Sequence, residues 1–310
     1  MKAGFSGNPK ELCCLNVPDV RVESMSEIDS PWLWEAEKQN SVHLERLLRH
    51  MFNQELLVDA KQLRVMILPP TNCSIPLKQF ISRVLFNRFN VTSITFQPAA
   101  PLAVLSSGSR CGLVIDLGWE ELTVVPVYDL REMIPQSSST VRGAKAFHGR
   151  MAEILREEGN EDMSFHQVEN HINHGDLRDA SQTALKTAVE DVLFTTPQDG
   201  HEDDNEMNVV DLVAKVLNRL DIETRGAVSD NIMFTGIYSN IKGLQSMIIQ
   251  RLKEKIGTAR GIKTLGYWAG ASLYVSSIEW CLVHDERSRF PGEISRDRFD
   301  ERWLMEEMTA

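Results

Sequence analysis

Short apolar runs alternate with longer amphipathic stretches along this chain of 310 residues. The first run, at residues 63–68, has no polar alternation and stops at Pro69, which is typical of a strand covered on both faces in a parallel sheet. Further strands are predicted at residues 111–116, 121–128 and 231–235. Amphipathic helices are predicted at residues 42–55, 145–158, 179–193, 208–220, 241–256 and 271–281, and after the cap Ser74. This alternation predicts an α/β fold.

The charge balance argues against a nucleic-acid groove. Lys and Arg total 33 against 44 Asp and Glu, a net charge of −11, whereas binding to phosphate backbones requires a dense basic surface. The sequence contains no run of about 18 apolar residues and no apolar signal core at its start, so we expect neither a membrane span nor secretion. The five cysteines form no CxxC pair, which favours a reducing compartment. We therefore expect an acidic, soluble, intracellular protein.

Two polar clusters are candidates for metal binding, and neither has the spacing of a known metal site. Residues 196–206 lack the alternating oxygen ligands and distal Glu of an EF-hand loop, so an exposed loop is the favoured interpretation and a calcium site the alternative. His166, His171 and His174 do not follow the HExxH pattern, so we interpret them as solvated side chains. No metal ligand is therefore assigned. Nucleophile-elbow, Walker and GxGxxG motifs are absent from the sequence.

Three glycine turns follow or flank the predicted strands. They lie at residues 2–7 (KAGFSG), at residues 116–118 (DLG), where a hairpin turn is predicted, and at residues 234–236 (FTG). A glycine at a strand end allows backbone amides to approach a phosphate, and an aspartate there can hold a hydrated magnesium ion. Each turn by itself is more often only a turn. Their order along the chain is the more informative feature.

In this order, the turns resemble those of actin and the actin-related proteins. KAGFSG resembles the second half of actin's first phosphate hairpin, residues 114–129 the second phosphate hairpin, and residues 231–244 the adenosine turn. Residues 89–108 and 265–272 resemble the two segments that cross between the lobes of actin. The resemblance covers nearly the whole chain. It implies a two-lobed α/β fold of the actin, Hsp70 and sugar-kinase type, which is ribonuclease H-like.

The resemblance also predicts how the chain divides into lobes. Residues 1–107 and 271–310 would form the first lobe, and residues 108–270 the second lobe, which carries the acidic loop. The first strand of actins, with its phosphate turn, would precede Lys2. The segment before the helix at residue 42 is shorter than the second subdomain of actin. A reduced second subdomain is therefore expected.

Four stretches resemble one branch of the family, the actin-related proteins at the pointed end of dynactin. These stretches are residues 56–68, 143–148, 189–194 and 221–236. By resemblance, the chain caps dynactin's actin-like filament, contacts the pointed-end subunits and supports dynein-driven transport on microtubules indirectly. The setting implied is the cytoplasm and cytoskeleton, without direct nucleic-acid contact and without a homo-oligomer. Since actin-type filaments grow by head-to-tail contacts that do not close, a subunit with one trimmed face accepts no successor.

Several positions depart from the nucleotide site of actins. The resemblance places Ala99 and Thr123 where actins have the glutamine and histidine that orient the attacking water, and neither side chain can replace them. Trp119 and Glu120 replace an Asp-Gly pair, and Ile237 replaces a glycine. These departures predict no meaningful ATPase, weak or absent nucleotide binding and no required cofactor. The alternative is a degenerate site for ATP or ADP with Mg²⁺. Its residues would be Lys2, Asp116, Gly118 and Gly236.

Two other functions are compatible with the same fold. One is a docking subunit of a nuclear chromatin-remodelling complex, which the acidic charge and weak catalytic site suit equally well. The other is a nucleotide-dependent phosphotransferase, which needs intact phosphate turns and a magnesium-binding acid, a role for which Asp116 is the plausible survivor. At the C-terminus, residues 299–308 carry apolar side chains at mixed helical spacing. Packing onto the chain's own core is favoured there over binding a partner.

Overall fold

The computed structural model describes residues 2–14, 37–71, 73–159, 163–196, 205–284, 290–296 and 299. The chain divides into two compact units. Unit 1 comprises residues 1–99 and 271–310, and unit 2 comprises residues 100–270. The predicted lobe boundaries, with the first at residue 107, stay a prediction.

Ten strands and ten α-helices lie in the described part of the chain. The strands are β1 (Lys2–Ala3), β2 (Cys13–Cys14), β3 (Arg64–Ile67), β4 (Ser93–Phe96), β5 (Gly112–Leu117), β6 (Leu122–Tyr128), β7 (Arg131–Glu132), β8 (Ser138–Thr140), β9 (Ile232–Gly236) and β10 (Glu293–Ser295). The helices are α1 (Glu37–His50), α2 (Ile75–Val84), α3 (Ala99–Leu105), α4 (Ala144–Glu157), α5 (Phe165–Asn173), α6 (Thr183–Val189), α7 (Val209–Asn218), α8 (Ile222–Ser229), α9 (Leu244–Ile256) and α10 (Gly266–His284). None of the helices described has the length and apolar character needed to cross a membrane.

Unit 1 contains two small sheets. β1 and β2 form an antiparallel hairpin, and β10, β4 and β3 form a second sheet in that order. β3 runs parallel to β4, as expected from its uninterrupted apolar run, whereas β10 is antiparallel to β4. The prediction that β3 is buried on both faces is wrong, since Arg64 is exposed and the other three residues are half-buried. The reason is that β3 forms an edge of this sheet among the described residues.

Aromatic side chains fill the core of unit 1. Phe52 meets Phe89 edge-on with ring centroids 5.4 Å apart, and both are buried in one cluster with Ile94 of β4. Phe299 packs against Phe86, with ring centroids 4.8 Å apart. The favoured packing of the C-terminal stretch onto the core is thus confirmed for Phe299. The remainder of that stretch lies outside the described residues.

Unit 2 is built on a five-stranded sheet with the order β7-β6-β5-β9, in which β8 also pairs with β6. β5 and β6 are antiparallel and are joined by a tight turn at residues 118–121, which confirms the predicted hairpin. β5 and β9 are parallel, with Asp116 opposite Thr235 and Leu117 opposite Gly236. The two glycine turns that follow these strands therefore lie next to each other, at the carboxyl ends of β5 and β9.

Alternate residues of β5 face two different cores. Leu113 and Ile115 are buried in a large cluster with side chains from α4, α6, α7 and α9. Val114 lies on the opposite face, in a smaller cluster with Val104 of α3. Asp116 follows Val114 on that second face. A carboxyl group therefore stands next to this apolar cluster, at the end of β5.

Hydrogen bonds between side chains and the backbone shape the segments that precede two helices of unit 2. The Asn208 side chain accepts hydrogen bonds from two amides in the first turn of α7, so this helix starts as predicted. The helix predicted at residues 179–193 is wrong in its first turn, because α6 begins only at Thr183. There, Asp179 Oδ1 accepts a hydrogen bond from the Ser181 amide at 2.9 Å and stabilises a turn instead.

Candidate functional site

A row of polar side chains crosses the unit 2 sheet near the ends of β5 and β9. Ser139 of β8 pairs with Thr123 of β6, Thr123 pairs with Asp116 of β5, and Asp116 pairs with Thr235 of β9. Residues that pair directly share one face of a sheet, so these four side chains project from the same face. The ends of parallel strands are where α/β sheets commonly bind ligands. This row is therefore the candidate site.

Asp116 has two hydroxyl donors from its own unit. Thr235 Oγ1 donates to Asp116 Oδ1 at 2.9 Å, and the hydroxyl of Tyr267, in the first turn of α10, lies 2.6 Å from Thr235 Oγ1. Tyr267 is also hydrogen-bonded to the Asp116 carboxyl. Burial raises the pKa of Asp116, and the two hydroxyls partly oppose that rise. Burial, followed by the charge of Asp116, raises the pKa of Tyr267 well above its ordinary value.

The turn after β5 is closed by the start of α4. The Ala144 amide donates to the Gly118 carbonyl at 2.8 Å, and the Lys145 amide donates to the Trp119 carbonyl at the same distance. A Cβ on Gly143 would lie 2.7 Å from the Trp119 carbonyl oxygen, and a Cβ on Gly118 would lie 2.7 Å from that of Glu121. Glycine is required at both positions because backbone meets backbone here. The turn carbonyls thus satisfy two amides that would otherwise lack partners at the helix start.

Trp119 and Glu120 both interact with the helices that follow the turn. The Trp119 ring lies 6.1 Å from His148 of α4 and 5.8 Å from Phe165 of α5, measured between ring centroids. His148 stacks on Phe165 at 4.2 Å, and burial lowers the pKa of His148. Glu120 forms an ion pair with Lys145 at 3.4 Å. These contacts, which the sequence did not suggest, give Trp119 a packing role.

Gly236 brings the end of β9 against the end of β5. Its φ of +94° lies in the left-handed region, and a Cβ there would lie 2.2 Å from the Leu117 carbonyl oxygen. The Ile237 amide donates to that same oxygen at 3.0 Å. The Ile237 side chain is 47% exposed. Only glycine permits this close approach of the two strand ends.

The structure brings three of the four predicted site residues together. Asp116, Gly118 and Gly236 lie at the adjoining ends of β5 and β9 in unit 2. Lys2 belongs to β1 of unit 1, where its Nζ forms an ion pair with Glu11 at 2.6 Å. This hydrogen bond is the largest cause of the lowered pKa of Glu11. Lys2 therefore has a carboxylate partner within its own hairpin.

The residues at the strand ends do not fit a magnesium-bound nucleotide as they stand. A hydrated magnesium ion would need the Asp116 carboxylate, which accepts hydrogen bonds from Thr235 and Tyr267. A phosphate at the turn would also meet the negative charge of Glu120, which is unfavourable. Binding would require these groups to rearrange. The acid could be recognised in the sequence, whereas both hydroxyls were missed there.

Neither of the two polar clusters considered for metal binding forms a metal site in the residues that can be described. His171 Nδ1 lies 3.0 Å from the Gln167 carbonyl, and His174 Nδ1 lies 2.9 Å from the Asn170 carbonyl, so each ring bonds to its own helix. Across the described ranges, no group of three His, Cys, Asp or Glu residues is placed to hold a metal ion. Most of the acidic segment, residues 197–204, lies outside those ranges.

Comparison with known proteins agrees with this architecture. The actin family model matches residues 38–174. Actin-like protein ARP10 of Saccharomyces cerevisiae is 24% identical over 265 residues, covering 84% of this chain and 79% of that protein. The chain is therefore similar to the actin family, by the family model over residues 38–174 and by the likeness to ARP10 over most of its length. Actin-related protein 2 of Arabidopsis thaliana is 23% identical over 268 residues, covering 73% of this chain and 67% of that protein.

Similarity to the actin family agrees with the α/β architecture and with the order of the glycine turns. The actin resemblance assigns the water-orienting glutamine to the position of Ala99 and the histidine to that of Thr123. Ala99 begins α3 and is 7% exposed. Thr123 lies on β6 beside Asp116. An alanine has no polar group, and a threonine hydroxyl is a poor proton acceptor at neutral pH.

Proposed function

We propose that this member of the actin family is a non-catalytic structural subunit. The observation that carries the proposal is the hydrogen bonding of Asp116 by Thr235 and Tyr267, which engages the acid that a degenerate nucleotide site with Mg²⁺ would use. Hydrolysis of ATP in an actin-type site needs that acid to hold the metal. A carboxyl group that is hydrogen-bonded to hydroxyls of its own unit instead stabilises the packing at the ends of β5 and β9.

The positions expected to orient water support the same proposal. A general base must accept a proton from the attacking water within hydrogen-bonding distance. Ala99 has no group that can do so, and the Thr123 hydroxyl is neutral. We therefore propose that the chain has no meaningful ATPase activity. Nucleotide binding is weak or absent, and a degenerate site would involve Asp116, Gly118 and Gly236.

Within this role, we place the chain at the pointed end of dynactin's actin-like filament. The support is the sequence resemblance at residues 56–68, 143–148, 189–194 and 221–236, together with similarity to an actin-like protein over most of the chain. A cap needs one face that matches the filament and an opposite face that accepts no further subunit. A reduced second subdomain would remove that opposite face.

The partners that follow from this position are other proteins. They are dynactin's actin-like filament and its pointed-end subunits, with dynein engaged indirectly in transport along microtubules. The setting proposed is the cytoplasm and cytoskeleton. The net charge of −11 is unfavourable for direct contact with nucleic acid. Self-assembly into a homo-oligomer is not part of the proposal.

Affinity purification with quantitative mass spectrometry tests the position in dynactin. The full chain carries a tag and is purified from its native cells, with an untagged strain as the control. We expect the dynactin actin-like filament subunit and the pointed-end subunits to co-purify in stable proportion. Recovery of chromatin-remodelling subunits in their place would overturn the assignment and favour the nuclear docking role.

Nucleotide content tests the absence of catalysis independently. The purified protein is denatured, the released nucleotide is quantified by chromatography, and phosphate release from Mg²⁺–ATP is followed over time. We expect substoichiometric nucleotide and no phosphate release above that of the Asp116→Ala variant. Stoichiometric ATP with steady release that this variant abolishes would contradict the proposal. Phosphoryl transfer to an added acceptor would point to the phosphotransferase alternative.

A further inference from the structure

Tyr267 approaches Asp116 from outside the sheet. Asp116 and Thr235 belong to neighbouring strands and pair in register, so their contact follows from the sheet itself. Tyr267 belongs to the first turn of α10, and its hydroxyl lies 2.6 Å from Thr235 Oγ1 and is hydrogen-bonded to the Asp116 carboxyl. The ring is packed against the apolar layer that contains Val114 and Val104. A phenol is thus inserted at the end of the two strands.

The backbone around Tyr267 is held in place by a second set of hydrogen bonds. Ser106 Oγ lies 2.7 Å from Thr264 Oγ1 and donates to the Gly266 carbonyl at 3.1 Å. Thr264 Oγ1 also donates to the Ala103 carbonyl at 2.6 Å. Gly266 itself has a φ of +86°, which a side chain would strain. The start of α10 is therefore anchored to α3, and this anchor sets the position of the phenol.

The phenol and a metal ion would need the same acceptor. A hydrated divalent cation binds a protein through one or two carboxylates and keeps several waters around it. The hydroxyl of Tyr267 is hydrogen-bonded to the Asp116 carboxyl, which the cation would need as its ligand. A cation that binds Asp116 must break the hydrogen bond of the phenol, and the free energy of that change weakens its binding.

We propose that the Tyr267 hydroxyl is an internal competitor that closes the Asp116 carboxyl to a hydrated divalent cation carrying a polyphosphate. This inference rests on the proposed function, in which the wild-type chain binds nucleotide weakly or not at all. It explains that weakness by one side chain, in addition to the departures at the turn. The phenol also connects the ends of β5 and β9 to the first turn of α10. The same contact therefore blocks the Asp116 carboxyl and holds the start of the helix in place.

The test is the affinity for Mg²⁺–tripolyphosphate measured by titration calorimetry on the full chain. Removal of a hydrogen bond to a charged group changes binding by about tenfold or more, so we expect Tyr267→Phe to bind at least about tenfold more tightly than the wild type. The same gain is expected to disappear in the double variant Tyr267→Phe/Asp116→Asn. Circular dichroism of each variant verifies that it is folded.

Tyr274→Phe is the matched control. Tyr274 lies on the same helix, its pKa is likewise raised by burial, and its hydroxyl is bonded to Gln97 within unit 1. We expect this variant to bind like the wild type. If Tyr267→Phe does not fold, Tyr267→Leu replaces it in the same titration. Failure of both to fold would overturn the proposal, because the phenol would then be required for the fold itself.

The outcomes separate this proposal from the proposed function. A folded Tyr267→Phe variant with wild-type affinity overturns the competitor and leaves the non-catalytic role intact. A gain that survives the Asp116→Asn change also overturns it, because the ligand would then bind elsewhere. Tight binding and turnover of Mg²⁺–ATP by the wild type would contradict the proposed function, whatever the Tyr267 variants do.

Discussion

Asp116 is a half-buried carboxyl group at the end of β5, next to the apolar cluster that contains Val114. Desolvation of a carboxylate is costly, and hydrogen bonds from Thr235 and Tyr267 offset only part of that cost. The residue therefore stabilises the folded state less than an uncharged side chain of the same shape would at neutral pH.

We expect Asp116→Asn to gain stability relative to the wild type as the pH rises above about 4, the ordinary pKa of an aspartate. The pKa of Asp116 is raised in the folded state, mainly by burial, so the folded protein holds this proton more tightly than the unfolded chain. That stabilisation is complete below the unfolded pKa and is lost as the pH rises through the folded pKa. Asparagine has no such loss. Urea unfolding at a series of pH values measures the difference.

Asp221→Asn is the control for this pH dependence, because its sign is opposite. Asp221 caps α8 and accepts hydrogen bonds from the Thr224 amide and hydroxyl, which lower its pKa. The stability it contributes is present above the unfolded pKa and lost as the pH falls. The free energy of unfolding of this variant is therefore expected to rise relative to that of the wild type as the pH falls. Equal slopes for the two variants would contradict the account.

Helices α3 and α10 meet at a glycine. Residues 99–100 and 270–271, where the chain passes between the two units, lie within these helices. A Cβ on Gly270 would lie 1.9 Å from the Leu102 carbonyl oxygen, which is far inside any real contact. The close backbone approach of α3 and α10 therefore depends on the absence of a side chain at this position.

Gly270→Ala is expected to destabilise the protein by about 1–3 kcal/mol, the range typical of overpacked sites. Gly149→Ala is the matched control, since Gly149 is also inside a helix and a Cβ added there would meet nothing within 4 Å. There, alanine is expected to add up to about 1 kcal/mol of helix stability. Urea midpoints of the two variants measure the contrast. A Gly270→Ala protein as stable as the wild type would contradict this packing.

Arg142 connects the segment after β8 to two other parts of unit 2. Its Nη1 donates to the carbonyls of Val192 and Thr195 at 3.0 and 2.6 Å, and its Nε donates to that of Glu206 at 2.6 Å. A planar fork of donors is needed to reach three carbonyls at once, and lysine cannot reproduce it. One arginine thus fixes both ends of the acidic segment that the structure describes only in part.

Arg142→Lys is expected to lower the free energy of unfolding by about 1–3 kcal/mol. Arg110→Lys serves as the control, because the Arg110 side chain is 76% exposed and pairs with Asp129 at the surface. Its replacement is expected to change stability by less than about 0.5 kcal/mol. Thermal unfolding of both variants measures the difference, and equal losses would show that the carbonyl contacts of Arg142 do not matter.

Local signals in the sequence predict seven of the ten helices but only four of the ten strands in the described part of the chain. The strands at residues 112–117 and 232–236 are short apolar runs that end at glycine turns, and α7 follows a capping asparagine, so their positions agree within a residue or two. α3 was missed because Ala99–Leu105 is apolar on every side and shows no amphipathic pattern. The first turn of α10 was missed because its glycines obscure the helical periodicity.

The candidate site was only half predictable for a different reason. Asp116 and Gly236 carry local signals, because each stands at the end of an apolar run. Thr235 was predictable in principle, since two parallel strands that both end in glycine turns align their last polar residues. Tyr267 had no such signal. Its contact with Asp116 arises from tertiary packing of α10, which no spacing in the sequence records.

On the scale of the whole molecule, each unit has a core of its own. The aromatic cluster around Phe52 and Phe89 belongs to unit 1, whereas the large cluster and the smaller layer on the two faces of the sheet belong to unit 2. The actin family combines such a fold with head-to-tail assembly. In our proposal this chain has the assembly role but no ATPase activity.

The central claim is tested most directly by locating this chain within its complex. Complexes purified through a tag on the full chain are labelled with a gold-conjugated antibody to the tag and imaged by negative-stain electron microscopy. We expect one gold particle per complex, at one end of a short actin-like filament. Labels along the filament or at both ends, or particles without a filament, would contradict the claim.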